Sequence, residues 1–165
     1  MSRSLAFSIA AVVFAFDRVT KWIIRVQVSA FDRHPVIPGF FDIVHSENRG
    51  AAFGLLSEAS PQWRALLLVG VSLLALGIVG GMLWNASRLD RPTFYGLALI
   101  FGGALGNLFD RILHGQVTDF LEFYVGEYVW PAFNVADSAI TIGCGLLLLS
   151  LVKPRRQVAR TSMER

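Results

Sequence analysis

The sequence predicts a helical integral membrane protein with four transmembrane helices, both termini in the cytoplasm, and a small sheet over the outer helix ends. The first observation is composition. The 165 residues are 54% hydrophobic and only 16% charged, where soluble globular chains carry about 25% charged residues. The second is a set of four long apolar runs, each near the roughly 20 residues a helix needs to cross the hydrocarbon core. The third is the segregation of Lys and Arg to one set of segment ends.

The first run, 4–28, carries Asp17, Arg18, Lys21 and Arg25 in its second half. It leads into a charged helical continuation, not a small-residue cleavage site, so it reads as a retained helix. The second, 63–84, has no charge after Arg64 and is edged by Trp63 and Trp84, as interfacial anchors are. The third, 93–113, stays uncharged until Asp110, and the fourth, 135–152, is uncharged after Asp137. One domain accounts for the whole chain, 1–165. Glycines 77, 80 and 81 of the second run, and 102, 103 and 106 of the third, permit close helix contact.

Four spans put both termini on one side. That side holds Arg3, Arg88, Arg91 and a basic tail, 153–165, suited to anionic headgroups. The opposite loops, 29–62 and 114–134, hold Arg33, Arg49 and little else, with Arg111 at the adjoining helix end. The positive-inside rule makes the termini cytoplasmic. In the first outer loop, Phe40-Phe41-Asp42-Ile43-Val44-His45 is aromatic and β-branched between Pro38-Gly39 and Arg49-Gly50, which predicts a strand.

The net charge of +3 does not indicate nucleic acid, because the basic residues sit at segment ends without an aromatic-interleaved face. Cys144 is the only cysteine and lies in an apolar run, so it reads as packing. His34, His45 and His114 lack metal-ligand spacing, no GxSxG is present, and no phosphate-cradling glycine loop occurs. Neither metal nor cofactor is expected.

Polar residues converge on the outer face. Asp119 follows the third helix and Asp137 opens the fourth, so both lie near one surface. Two carboxylates in contact share a proton, which suits one as base to a water and the other as acid. The rival reading of Asp137 is a helix cap with Asn134, and that of Asp119 is a loop acid beside interfacial aromatics. Asp17 and Lys21, four apart, read first as a structural ion pair that supports the site. Asn107, Asp110 and Arg111 share a helical face: Asn107 is placed to hold a carboxylate or a peptide, and Asp110 with Arg111 equally suits an interfacial anchor pair. Asn48 comes to the same region from the first outer loop. A proton-coupled transporter would use the acids as a relay, but such proteins show repeats and acids along a pathway. A non-enzymatic scaffold leaves the acids unexplained.

Five blocks in order resemble the bacterial lipoprotein signal peptidase (signal peptidase II) family: Asp17-Arg18-Val19-Thr20-Lys21, Asn48 through Gly54, Gly106-Asn107-Leu108-Phe109-Asp110-Arg111, Val117-Thr118-Asp119-Phe120 and Phe133-Asn134-Val135-Ala136-Asp137. Arg18, where the family often has Gln, and Thr118, where an aliphatic residue is common, depart from the pattern. The resemblance implies an aspartic endopeptidase of the bacterial inner membrane, expected to act as a monomer, with a small extracytoplasmic β-rich cradle and its site at the outer face. It implies a diacylglyceryl prolipoprotein as substrate among membrane lipids, cut on the N-terminal side of the lipidated cysteine. Asp119 and Asp137 would be the catalytic pair. Asn48, Asn107, Arg111 and Asn134 would line the site, and Asp17, Lys21 and Asp110 would support it.

Overall fold

A computed structural model describes residues 1–30, 32–50 and 60–152. The end of the second motif block, residues 51–54, and the basic tail lie outside the described residues. The described residues form four long helices, α1 (Arg3–Gln27), α2 (Pro61–Trp84), α3 (Arg91–His114) and α4 (Val135–Val152), with strands β1 (Arg33–Ile37) and β2 (Phe41–Asn48) between α1 and α2, and β3 (Val117–Val125) and β4 (Tyr128–Val129) between α3 and α4. A short 3-10 turn, Ala86–Arg88, joins α2 to α3.

Each helix starts and stops for local reasons. Ser2 caps α1 by accepting the Leu5 amide, and Asp90 caps α3 by accepting that of Thr93. Pro61 and Pro92 stand in the first turns of α2 and α3, where a missing N–H costs nothing. Gly115, at φ 70°, ends α3 in the left-handed conformation and turns the chain straight into β3.

Among the described residues, three helices are long and apolar enough to cross a membrane: Gln62–Trp84, Arg91–His114 and Val135–Val152. Their outward surfaces stay apolar; Leu66, Leu74, Leu148 and Leu149 are each more than 60% exposed. Such a surface requires an apolar solvent. α1 does not pass that test by composition, because four charged side chains interrupt its second half. It is nonetheless a single helix of 25 residues, with Asp17 and Lys21 fully buried.

α3 is the central helix and packs on the other three. A Cβ at Gly103 would stand 2.5 Å from the Ala136 carbonyl oxygen, so backbones of α3 and α4 touch there. The glycines of α2 behave differently from expectation: Gly77 and Gly81 face open space, and only Gly80 meets a neighbour, Phe101. α2 is peripheral, so most of its surface has no helix to approach.

The sheet is larger than the sequence reading allowed. Its order is β1-β2-β3-β4, antiparallel throughout. The second outer loop, 114–134, thus contains a nine-residue strand, β3. An aromatic stack of Phe41, Phe123 and Phe133 stiffens it, with centroids 4.7 and 5.8 Å apart. Beneath it, buried Asp42 is held by Arg33 at 3.0 Å and by the Tyr124 hydroxyl at 3.0 Å. All four strands join the ends of helices that meet on the same side of the bundle.

Candidate active site

Backbone pairing brings the two aspartates together. In the β2–β3 register Ser46 faces Asp119, and Asn48 faces Val117. The segment before α4 then returns along β3: the amides of Phe120 and Leu121 donate to the Phe133 carbonyl, and the Phe133 amide donates back to Leu121. The next residue, Asn134, is therefore delivered to Asp119, and α4 starts immediately after it.

Asn134 performs two tasks. Its Nδ2 donates to Asp119 Oδ1 at 2.7 Å, while its Oδ1 accepts the Asp137 amide at 2.9 Å as an N-cap. In return, Asp137 Oδ2 accepts the Asn134 amide at 3.4 Å, which completes a capping box with Asp in the usual Glu place. Capping and a site role for Asp137 are thus not alternatives, because the cap aims its carboxylate. The other oxygen, Oδ1, accepts from Asn107 Nδ2 at 2.7 Å. Asp119 Oδ2 accepts from Asn48 Nδ2 at 3.1 Å.

Asp119 is 3% exposed. Burial first, and then the negative charge of Asp137, push its carboxyl up to about 7 from 3.8, against the opposing hydrogen bonds from Asn48 and Asn134. Asp137 is half-buried. Both line a cavity of about 480 Å³ whose polar end is completed by Asn48, Asn107 and Arg111. Its other walls are Trp130, Phe133, Ile140 and Ile142, so one opening combines hydrogen-bonding groups with apolar surface. Arg111 interacts electrostatically with both carboxyls and donates to the Asn107 carbonyl at 3.4 Å.

The supporting residues form a second, fully buried layer. Lys21 Nζ lies 2.9 Å from Asp17 Oδ2 and 2.9 Å from Asp110 Oδ2. Asp17 Oδ1 accepts the Ala136 amide at 3.0 Å, so α1 is tied to the first turn of α4. Asp110 does not pair with Arg111 as an interfacial anchor. It turns toward α1, where Arg18 and Arg25 also bind it, Arg25 at 2.6 Å. The physical reason is the helix: Arg18, Lys21 and Arg25 recur at i, i+3 and i+7 and present one cationic face to α3.

Arg25 was missed as a site-supporting residue, although that spacing was legible. Its Nε donates to Thr118 Oγ1 at 2.8 Å, so the side chain next to Asp119 is fixed from α1. Both departures from the family pattern therefore meet here. Arg18 binds Asp110 and stacks 4.4 Å over Phe109, and Thr118 supplies a hydroxyl to Arg25.

These features define a helical membrane protein whose ion-paired helices carry a carboxyl-lined cavity under a small sheet. The chain belongs to the signal peptidase II family, whose model matches residues 9–153. It is 55% identical to the lipoprotein signal peptidase of Solibacter usitatus over 95% of this chain and 96% of that one. It is also 46% identical to that of Maridesulfovibrio salexigens, over 90% and 96%. A solved bacterial membrane enzyme superimposes with a TM-score of 0.83 at 32% identity, covering 98% of this chain and 95% of the other. A second gives 0.80 at 33% identity, over 92% and 94%. The chain is accordingly a peptidase, and the family together with helices long and apolar enough to cross a membrane makes it an inner-membrane protein.

Proposed function

We propose that this chain is an aspartic endopeptidase that removes signal peptides from diacylglyceryl-modified prolipoproteins, cutting on the N-terminal side of the lipidated cysteine. The observation that carries the reading is the shared cavity of Asp119 and Asp137, bridged through Asn134. In this reading Asp119 is the proton donor of the pair, because burial and the neighbouring charge disfavour its ionisation. Asp137 takes a proton from water as the water oxygen bonds to the scissile carbonyl carbon. Asp119 gives its proton to the carbonyl oxygen. On collapse the C–N bond breaks, the leaving amine takes the proton from Asp137, and the carbonyl re-forms by returning one to Asp119. Asn48 and Asn134 hold Asp119, Asn107 holds Asp137, and Arg111 is placed to orient the substrate backbone.

The topology follows from the same chemistry. α1 is the fourth span, its polar face neutralised by α3 and α4, with both termini cytoplasmic and the sheet outside. A substrate with two acyl chains waits at that outer interface, and the apolar walls of the cavity suit it. Remote acyl binding then orients the peptide bond against the water. The family relatives named lipoprotein signal peptidases support this choice of substrate.

The test is cleavage of a diacylated prolipoprotein by enzyme reconstituted in lipid. Asp119→Asn and Asp137→Asn are each expected to lose activity by at least about 1,000-fold, since either change removes one half of the acid–base pair. A folded variant cutting at the wild-type rate would exclude the pair. EDTA should leave the rate unchanged; loss restored by zinc would point to a metal hydrolase.

A further inference from the structure

We propose that Lys21 is a positioning residue for catalysis: its ammonium locks the Asn107 amide in the one orientation that donates to Asp137. This rests on the Asp119–Asp137 reading above. Lys21 is 0% exposed, and it is not part of the cavity wall. An ammonium has three N–H donors. Three oxygens stand around it at 2.9 Å each: Asp17 Oδ2, Asp110 Oδ2 and Asn107 Oδ1. Two of these neutralise it, and the third is a neutral amide on the helix that also lines the cavity.

An asparagine amide can rotate by half a turn, exchanging its acceptor for its donor. At position 107 the exchange is blocked from three sides. Oδ1 faces Lys21 at 2.9 Å and the Asn134 Nδ2 at 3.3 Å, both donors. Nδ2 faces Asp137 Oδ1 at 2.7 Å, an acceptor. Rotation would set an NH2 against an ammonium and a second NH2, and an oxygen against a carboxylate. Two of these contacts are charge-assisted, from the buried ammonium to Oδ1 and from Nδ2 to the Asp137 carboxylate, and such bonds are roughly twice as strong as neutral ones. The lock is braced from behind. Asp17 is fixed by the Ala136 amide at 3.0 Å, and Gly106 leaves room for its carboxylate against α3. Lys21 thus acts on the reacting carboxyl through one amide, without touching substrate.

A double-mutant cycle separates this role from plain support of the fold. The paired change Asp17→Asn with Lys21→Met removes one charge of each sign, so no unpaired buried charge is added. It is made in the wild-type background and with Asn107→Ala, and kcat, KM and Tm are measured on reconstituted enzyme with diacylated prolipoprotein. With Asn107 present, kcat is expected to fall about tenfold or more at near-constant KM; with Asn107→Ala, the same pair should change kcat less than about twofold. Equal losses in both backgrounds, or no loss with Asn107 present, would overturn the proposal. If the paired variant does not fold, Asn107→Asp carries the test. It still accepts from Lys21 and Asn134 but donates nothing to Asp137. Wild-type kcat with Tm retained overturns the lock, because Asp137 then needs no donor from position 107. Asp119→Asn and Asp137→Asn run alongside: activity in those two sinks the catalytic pair itself, whereas their inactivity with additive Lys21 effects sinks only the lock.

Discussion

Asp119 receives an amide hydrogen bond on each oxygen, yet its carboxyl still rises to about 7, because burial and the Asp137 charge outweigh both donors. A raised carboxyl has a direct linkage consequence. Between pH 4 and 7 the folded protein keeps a proton that the unfolded chain would release, so this residue stabilises the fold at low pH and loses that contribution as pH climbs through 7. The difference in Tm between Asp119→Asn and wild type should therefore grow in the variant's favour from pH 5 to pH 8. Parallel curves would remove the basis for a proton stored there. Cleavage should also decline above pH 7, as the pair loses the proton it needs. Much at this scale was legible in the sequence: Asp17, Asn48, Asn107, Asp119, Asn134 and Asp137 stand out because polar groups at membrane depth are costly. Arg25 and Thr118 were not legible as partners, because they lie 93 residues apart and only folding pairs them.

At the scale of elements, α3 decides where the site residues stand. Its face toward α4 is cut away at Gly103, and Asn107 lies one turn further on, donating to Asp137. Gly103→Ala would set a methyl 2.5 Å from the Ala136 carbonyl oxygen and 2.9 Å from Ile140 Cγ1. The helices must part, at a cost of about 1–3 kcal/mol for overpacking, and the Asn107–Asp137 bond lengthens with them. Thermal unfolding and cleavage should both drop for Gly103→Ala and hold for Gly77→Ala, which meets nothing within 4 Å. A Gly103→Ala enzyme as stable and active as wild type would show that this seam does not set the site. The helices were readable from apolar run length, and β2 from its aromatic and β-branched stretch. β3 was passed over even though Val117, Thr118, Phe120, Phe123, Tyr124 and Val125 favour strands, because its residues look like a loop between two spans until β2 pairs with them.

For the whole molecule, the decisive question is whether α1 crosses the bilayer. Its charges argue against a span by composition, and its tertiary contacts argue for one. Asp17 and Lys21 are wholly buried against α3 and α4, while Val12, Phe16, Val19, Trp22 and Val26 point outward, each more than half exposed. The polar groups face protein and the apolar ones face out, as a span requires. On the proposed topology, the distribution of Lys and Arg sets the direction, termini inside. Cys144 is the only cysteine, so Cys144→Ala gives a background for placing single thiols. Ser2→Cys and Ser87→Cys should react with a membrane-impermeant maleimide only after cells are permeabilised, whereas His34→Cys and Glu127→Cys should react in intact cells. All four positions are exposed, so protein burial does not decide the result. Labelling of the position-2 thiol in intact cells, with the position-87 thiol still protected, would place the N-terminus outside. α1 would then not cross, and the cationic face that meets Asp110 would have to be brought to α3 without a fourth span.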